Sequence, residues 1–310
     1  MAAKVRPQIS VVSPVYNAER IVAKLIKELE GVLQEMAISY EIVLVDDRSL
    51  DEGWQEMKRL AGACNYLRCI RLSRNFGQHP AIMAGLRAAK GEWVVVMDCD
   101  LQDRPVEIPR LYQKANEGFQ VVQAKRQNRS DSWLKKASSY LFSKVYGFFT
   151  DTRYDHEIAN FGIYHHKVID SVLMIGDSIK FFPLFVNWAG YEKTTIAVEH
   201  GGRAEGKSAY SFGKLVELAF NTIVSFSNKP LKLMVKFGLS ISLFAFFIGL
   251  YYIFQKITGG IVVIGYASMM VSIWFFSGII ITTIGVVGIY LGKIFDQTKS
   301  RPIYIIDEEL

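Results

Sequence analysis

Two long stretches near the C-terminus carry no charge. Residues 237–255 read FGLSISLFAFFIGLYYIFQ between Lys236 and Lys256, and the chain is again uncharged from there to Lys293. A bilayer-spanning helix needs about 20 such residues; the first run supplies them, and residues 267–290 supply a second set. Two runs in tandem predict a transmembrane hairpin and argue against a pair of buried core helices. Lys229, Lys232 and Lys236 precede the first run, Lys293, Lys299 and Arg301 follow the second, and only Lys256 lies between. This asymmetry places both flanks in the cytoplasm. Neither run is N-terminal, and MAAKVRPQIS is too polar for a signal peptide, so the residues ahead of the hairpin are expected to be cytoplasmic.

Those residues alternate between two periods. Apolar strands are predicted at 8–13, 40–45 and 66–72 and in the run that opens at Trp93, with helical spacing at 18–33, 51–60 and 80–89. Such alternation predicts an α/β domain with a mostly parallel sheet and helices on both faces, an architecture that commonly binds nucleotides. Further strands are expected at 118–125, 158–164 and 192–199, and helices at 168–174 and 181–188. The domains expected are a soluble one at 1–210, an amphipathic interfacial helix at 211–230, two transmembrane helices at 231–292 and a cytoplasmic tail at 293–310. A second amphipathic stretch, 132–149, reads either as a surface helix or as a core helix. In the tail, RPIYII at 301–306 reads as a strand that joins the soluble domain or a neighbouring subunit.

The net charge of +6 gathers partly in the membrane flanks, where it suits anionic lipid. No nucleic-acid reading module accompanies it, so a nucleic-acid partner is not expected. Cys64, Cys69 and Cys99 lack metal or redox spacing, and the five histidines form no zinc set.

Chemistry is expected where strands end in acids. WVVVMDCDLQD at 93–103 is a buried strand that breaks into carboxylates at the sheet's C-terminal edge, the edge where open α/β sheets bind ligands. Asp98 and Asp100 are two hard oxygen donors suited to Mg²⁺ or Mn²⁺ and too few to enclose the ion, which leaves positions for phosphate oxygens and so implies a nucleotide. Asp103 either joins them or caps the next helix. Asp46 or Asp47, ending the second strand, could meet a base or ribose, and Tyr16 could pack on the base; turn chemistry is the alternative for the acids. Arg126 and Arg129 follow the fifth strand and suit a second phosphate, as against a solvated basic face. HGGRAEGKSAY at 200–210 reads as a phosphate clamp through Arg203 and Lys207, or as a glycine-rich linker.

Five motifs in order, SVVSPVYN at 10–17, VDDRS at 45–49, NFGQHPAIMAG at 75–85, DCDLQD at 98–103 and RAEGKSAY at 203–210, followed by the hairpin and RPIY, make the chain resemble a family-2 glycosyltransferase of the GT-A fold. Within that family it resembles the bacterial polyprenyl-phosphate glycosyltransferases related to dolichyl-phosphate mannose synthase. The resemblance implies that Pro14, Tyr16, Asn17 and Asp46 or Asp47 hold the nucleotide, and that Asp98, Asp100 and Gln102 hold the metal. It implies that Arg126, Arg129, Arg203, Lys207 and Ser208 bind the lipid phosphate or the sugar diphosphate, and that the protein is a homo-oligomer, often a tetramer in such enzymes. Two departures stand out: Arg104 replaces a proline after DLQD, and Asn160 lies where many such enzymes carry Asp. The expected reaction is transfer from a nucleotide-diphosphate sugar, by resemblance a uridine one, to polyprenyl phosphate with inversion, at the cytoplasmic face of a bacterial plasma membrane. Rival expectations are a hydroxyl acceptor, with Asp103, Asp151 or Asp155 as base, and a nucleotide-sensing membrane module without turnover.

Overall fold

The computed structural model describes residues 6–126, 147–149, 158–177, 181–198, 227–258 and 265–310. Arg129, Arg203, Lys207, Ser208, Asp151, Asp155 and most of both expected amphipathic segments lie outside these residues. The described chain falls into two compact units, one holding the sheet, its helices and the C-terminal strand, the other the two long apolar helices.

The expected alternation is realised in the first unit. Strand β1 (Ile9–Val15) leads to α1 (Glu19–Glu35), β2 (Tyr40–Asp46) to α2 (Gly53–Ala61), β3 (Leu67–Leu72) to α3 (Gln78–Ala88), and β4 (Trp93–Val96) to a 3-10 turn (Pro105–Glu107) and α4 (Ile108–Ala115). Then come β5 (Val121–Arg126), β6 (Ile158–His165), α5 (His166–Met174), α6 (Phe182–Trp188) and β7 (Lys193–Val198). The tail supplies β8 (Ile306–Glu309). The sheet runs β7-β5-β6-β4-β1-β2-β3-β8. Strands β4, β1, β2 and β3 are mutually parallel, β6 runs antiparallel between β4 and β5, and β8 is antiparallel to β3.

Alternate residues of β1 show why both faces are covered. Ile9, Val11 and Val15 join a core with Val22, Leu25, Ile26, Leu29 and Leu33 of α1, whose spacing makes one apolar stripe. Val12 points the other way, against α3, where Gly85 lets helix and sheet approach closely. Burial on both faces makes these parallel strands almost continuously apolar.

The tail strand was expected at 301–306 and forms instead at Ile306–Glu309, on the β3 edge of the soluble unit's own sheet. Charge on and around that edge accounts for the shift. That edge is basic, and Asp307, Glu308 and Glu309 pair with Arg48, Lys58 and Arg68 at 2.6, 2.5 and 2.7 Å.

In the second unit, α7 (Lys229–Ile257) and α8 (Tyr266–Thr298) are long and apolar enough to cross a membrane, with spans at Lys229–Ile248 and Ser272–Thr298 and apolar side chains exposed along both.

Candidate active site

Parallel β1, β2 and β4 end on one edge, and β5, antiparallel to β6 as β4 is, points the same way. This edge collects Tyr16 and Asn17 after β1, Asp46 and Asp47 at the end of β2, and Asp98 and Asp100 after β4. Arg126 is the last residue of β5. Gln123 and Val96 both oppose Gly162 of β6, so Arg126 stands three residues beyond that level and Asp98 two.

Three of the five left-handed non-glycine residues among the described chain lie in these loops: Asn17 (φ 50°), Arg48 (φ 61°) and Leu101 (φ 58°). Backbone strain of this kind gathers at functional sites, where surrounding structure holds it.

The side chains divide into those presented and those turned inward. Tyr16 is exposed, so its ring is available to a planar ligand. Pro14 is buried within β1. Asn17 ties its loop to the next, its N–H donating to Ser49 Oγ (3.0 Å) and its Oδ1 accepting from Leu50 N–H (2.8 Å). The carboxylates of Asp46 and Asp47, expected to reach a base or ribose, are buried in protein contacts. Asp46 Oδ1 accepts from Ser49 N–H (3.0 Å), and its Oδ2 lies 3.2 Å from Arg71 Nε, an off-line charge contact. Asp47 takes the N–H groups of Phe76 (2.7 Å) and Gly77 (2.8 Å), one on each oxygen. Burial pushes the Asp47 carboxyl above the usual range, outweighing those two bonds.

Asp98 and Asp100 are half-buried at the mouth of the edge. Gln78 Nε2 donates to Asp98 Oδ1 at 2.6 Å, and Gln102 N–H donates to Asp100 Oδ1 at 3.1 Å, closing a short turn. Between the acids, burial pushes the Cys99 thiol up to about 12, with the Asp98 charge adding to it, so the thiol stays protonated. Among the described residues no three His, Cys, Asp or Glu side chains gather into a metal cage. Asp98 and Asp100 supply hard oxygen donors of the kind that a divalent cation takes when its remaining positions go to a substrate. Asp103 is buried, and the N-cap position of the following turn is held by Arg104, with no side-chain capping bond there.

Gln78 was not singled out from the sequence. It sits in NFGQHPAIMAG, and the one available signal was a polar residue just after a glycine at a helix start.

An acid-lined edge of this kind on a mostly parallel α/β sheet is the layout of a GT-A glycosyltransferase, and residues 10–173 match the model of glycosyl transferase family 2. The chain belongs to that family and is a glycosyltransferase. It is 33% identical over 302 residues to an uncharacterized glycosyltransferase of Synechocystis sp., spanning 97% of this chain and 95% of that one. It is 32% identical over 304 residues to the undecaprenyl-phosphate 4-deoxy-4-formamido-L-arabinose transferase of Proteus mirabilis, spanning 97% and 93%. Among solved structures, the glucosyl-3-phosphoglycerate synthase of Mycobacterium tuberculosis, in complex with Mn²⁺, UDP and phosphoglyceric acid, shares the fold. Its TM-score is 0.51 at 15% identity, over 71% of this chain and 77% of that one.

Proposed function

We propose that this enzyme moves a sugar from a nucleotide-diphosphate sugar, with uridine as the base, to the phosphate of a polyprenyl lipid, inverting the anomeric centre. The setting is the cytoplasmic face of a bacterial plasma membrane that α7 and α8 cross. One observation carries the reading. Asp98 and Asp100 leave β4 at the ligand-binding edge of a family-2 sheet, in a chain alike over nearly its full length to undecaprenyl-phosphate sugar transferases.

The residues divide the work. Tyr16 offers its exposed ring to the base, while Pro14, Asn17, Asp46 and Asp47 shape the loops beneath the nucleotide. Asp98 and Asp100, with Gln102, would hold Mg²⁺ or Mn²⁺, whose chemistry when bound is to neutralise the departing nucleotide diphosphate. Arg126 at the end of β5, with Arg129, Arg203, Lys207 and Ser208, receives the acceptor phosphate. A phosphate oxygen is already ionised at neutral pH, so no strong base is required and catalysis rests on positioning and charge. Burial of Asp103 counts against the rival in which it deprotonates a hydroxyl. The resemblance also carries a homo-oligomer, up to a tetramer, which native mass spectrometry checks.

The test is purified protein in detergent with undecaprenyl phosphate, hydroxyl-bearing lipids and a panel of nucleotide sugars, with products read by mass spectrometry. The expected result is one sugar on the lipid phosphate, lost by roughly a hundredfold or more in Asp98→Ala and Asp100→Ala. Full turnover by either variant, or transfer only to hydroxyl lipids, refutes it.

A further inference from the structure

We infer that Gln78 is a positioning residue for the Asp98 carboxylate, held in place by Asp47. The inference deepens the reading above and rests on Asp98 being a metal-site acid.

The geometry forms a short relay between strands that are not neighbours. Asp47 directly follows β2, and its own N–H is fixed by Val15 O of β1 at 2.9 Å. Its two carboxylate oxygens take the N–H groups of Phe76 and Gly77, which fixes the loop entering α3. Gly77 has φ 100° and ψ 163°, a conformation open almost only to glycine, and there the chain turns into the helix. Gln78, the next residue, thereby places its amide 2.6 Å from Asp98 Oδ1, beyond β4. Two strands, β2 and β4, which β1 separates in the sheet, are thus coupled through a residue of a helix that lies on one face of the sheet.

Stability does not account for this bond. An exposed amide–carboxylate contact adds little to folding, because both groups are equally well served by water. What it does do is give one oxygen of the carboxylate a fixed donor, which restrains how the carboxylate is turned. Partners of this kind orient a ligating carboxylate, and their loss typically weakens metal binding by roughly 10- to 100-fold. The relay also gives Asp47 a role without contact with the donor: it accounts for a buried acid whose oxygens both point at the α3 loop.

The experiment measures Mn²⁺ binding to the full-length protein in detergent by electron paramagnetic resonance of the free ion, with UDP and with GDP present. Wild type, Gln78→Leu, Asp47→Asn, their double variant and Asp98→Ala are compared, with metal-free nucleotide binding and Tm measured alongside. Gln78→Leu is expected to weaken Mn²⁺ binding by roughly 10- to 100-fold, with Tm and metal-free nucleotide binding unchanged. Asp47→Asn is expected to lower Tm and weaken Mn²⁺ binding similarly, and the double variant to bind Mn²⁺ no more weakly than Gln78→Leu. If Asp98→Ala loses the metal while Gln78→Leu binds as wild type, the inference falls and the metal reading stands. Additive losses in the double variant overturn the part given to Asp47. If Asp98→Ala binds Mn²⁺ as wild type does, the reading and the inference fall together.

Discussion

Gly85 offers a prediction whose sign is not obvious from the sequence. It lies inside α3, and replacing a mid-helix glycine by alanine ordinarily stabilises a helix by about 1 kcal/mol. Here a Cβ would stand 2.4 Å from Val12 Cγ1 and 3.1 Å from Val45 Cγ2, where carbon atoms in contact sit at about 3.5–4.0 Å. Val12 has no escape. It is fully buried in β1, which is hydrogen-bonded on both sides by β2 and β4, and its branched side chain is stiff about χ1. The helix must therefore lift from the sheet, and overpacking of this kind costs about 1–3 kcal/mol. With the closest approach so short, the upper part of that range applies, and Gly85→Ala should destabilise the sheet unit by about 1–2 kcal/mol net. Hydrogen exchange of the α3 and β1 amides reads this locally, which avoids treating a chain of two units as two-state. The double variant Gly85→Ala with Val12→Ala should recover at least about 1 kcal/mol relative to the sum of the single changes. Slower exchange in Gly85→Ala, or a strictly additive cycle, would refute the reasoning.

Three more predictions follow from buried polar groups and from the tail. Burial holds His79 down at about 4 from its ordinary 6.5, and its Nδ1 has no hydrogen-bond partner among the described residues. The neutral form is the folded one. The stability that this group contributes is therefore complete above pH 6.5 and falls by on the order of 3 kcal/mol as pH drops to about 4, and His79→Phe should remove that loss from the urea-titration profile across the window. Glu41 Oε1, buried at the start of β2, accepts from Ser10 Oγ (2.5 Å) and Lys90 N–H (2.6 Å); Glu41→Ala leaves both donors unmatched and should cost about 3 kcal/mol by the same titration. Deleting residues 305–310 removes the acceptor of Ser73 N–H, both main-chain bonds with Cys69 and the partner of the Trp54 indole, so limited proteolysis should cut at the bared β3 edge and Tm should fall.

Much of this fold was legible because burial on two faces writes itself into composition. Each parallel strand is an apolar run, each helix on it an apolar stripe, and an acid after such a run lies at an edge whatever its neighbours are. What each acid then touches was not legible. Asp46 and Asp47 look alike in VDDRS, yet one turns to Ser49 and Arg71 and the other to the loop before α3. Asp46 closes a turn with an N–H three residues on, whereas Asp47 depends on N–H groups 29 and 30 residues away in the chain, a distance that no local pattern encodes. The tail strand was misplaced for a related reason. Its apolar half, RPIYII, carries the strand propensity, but its acidic half, IDEE, matches Arg68 on β3, Lys58 on α2 and Arg48 after β2, and such a partner set is visible only once the sheet is assembled.

Leu101 shows why the acid loop after β4 keeps its shape although its own conformation is unfavourable. A leucine at φ 58° gives up about 1–2 kcal/mol relative to the right-handed region, a cost glycine would avoid. Leu101 nevertheless buries its side chain in the core beside Met97, Ile108 and Leu111, and burial of a leucine contributes about 1.5–3 kcal/mol. The second magnitude exceeds the first, so the anchor offsets the strain. Its consequence is directional: with Leu101 pinned in the core, Asp98, Asp100 and Gln102 on either side are carried toward the sheet edge, and the Gln102 N–H closes onto Asp100. Asn17 and Arg48 hold the neighbouring loops in the same left-handed region with bonds to Leu50 and Asp307. Each of the three loops at this edge is thus fixed by a contact outside itself. Positioning before substrate arrives is what the proposed transfer, which needs no strong base, requires of its protein.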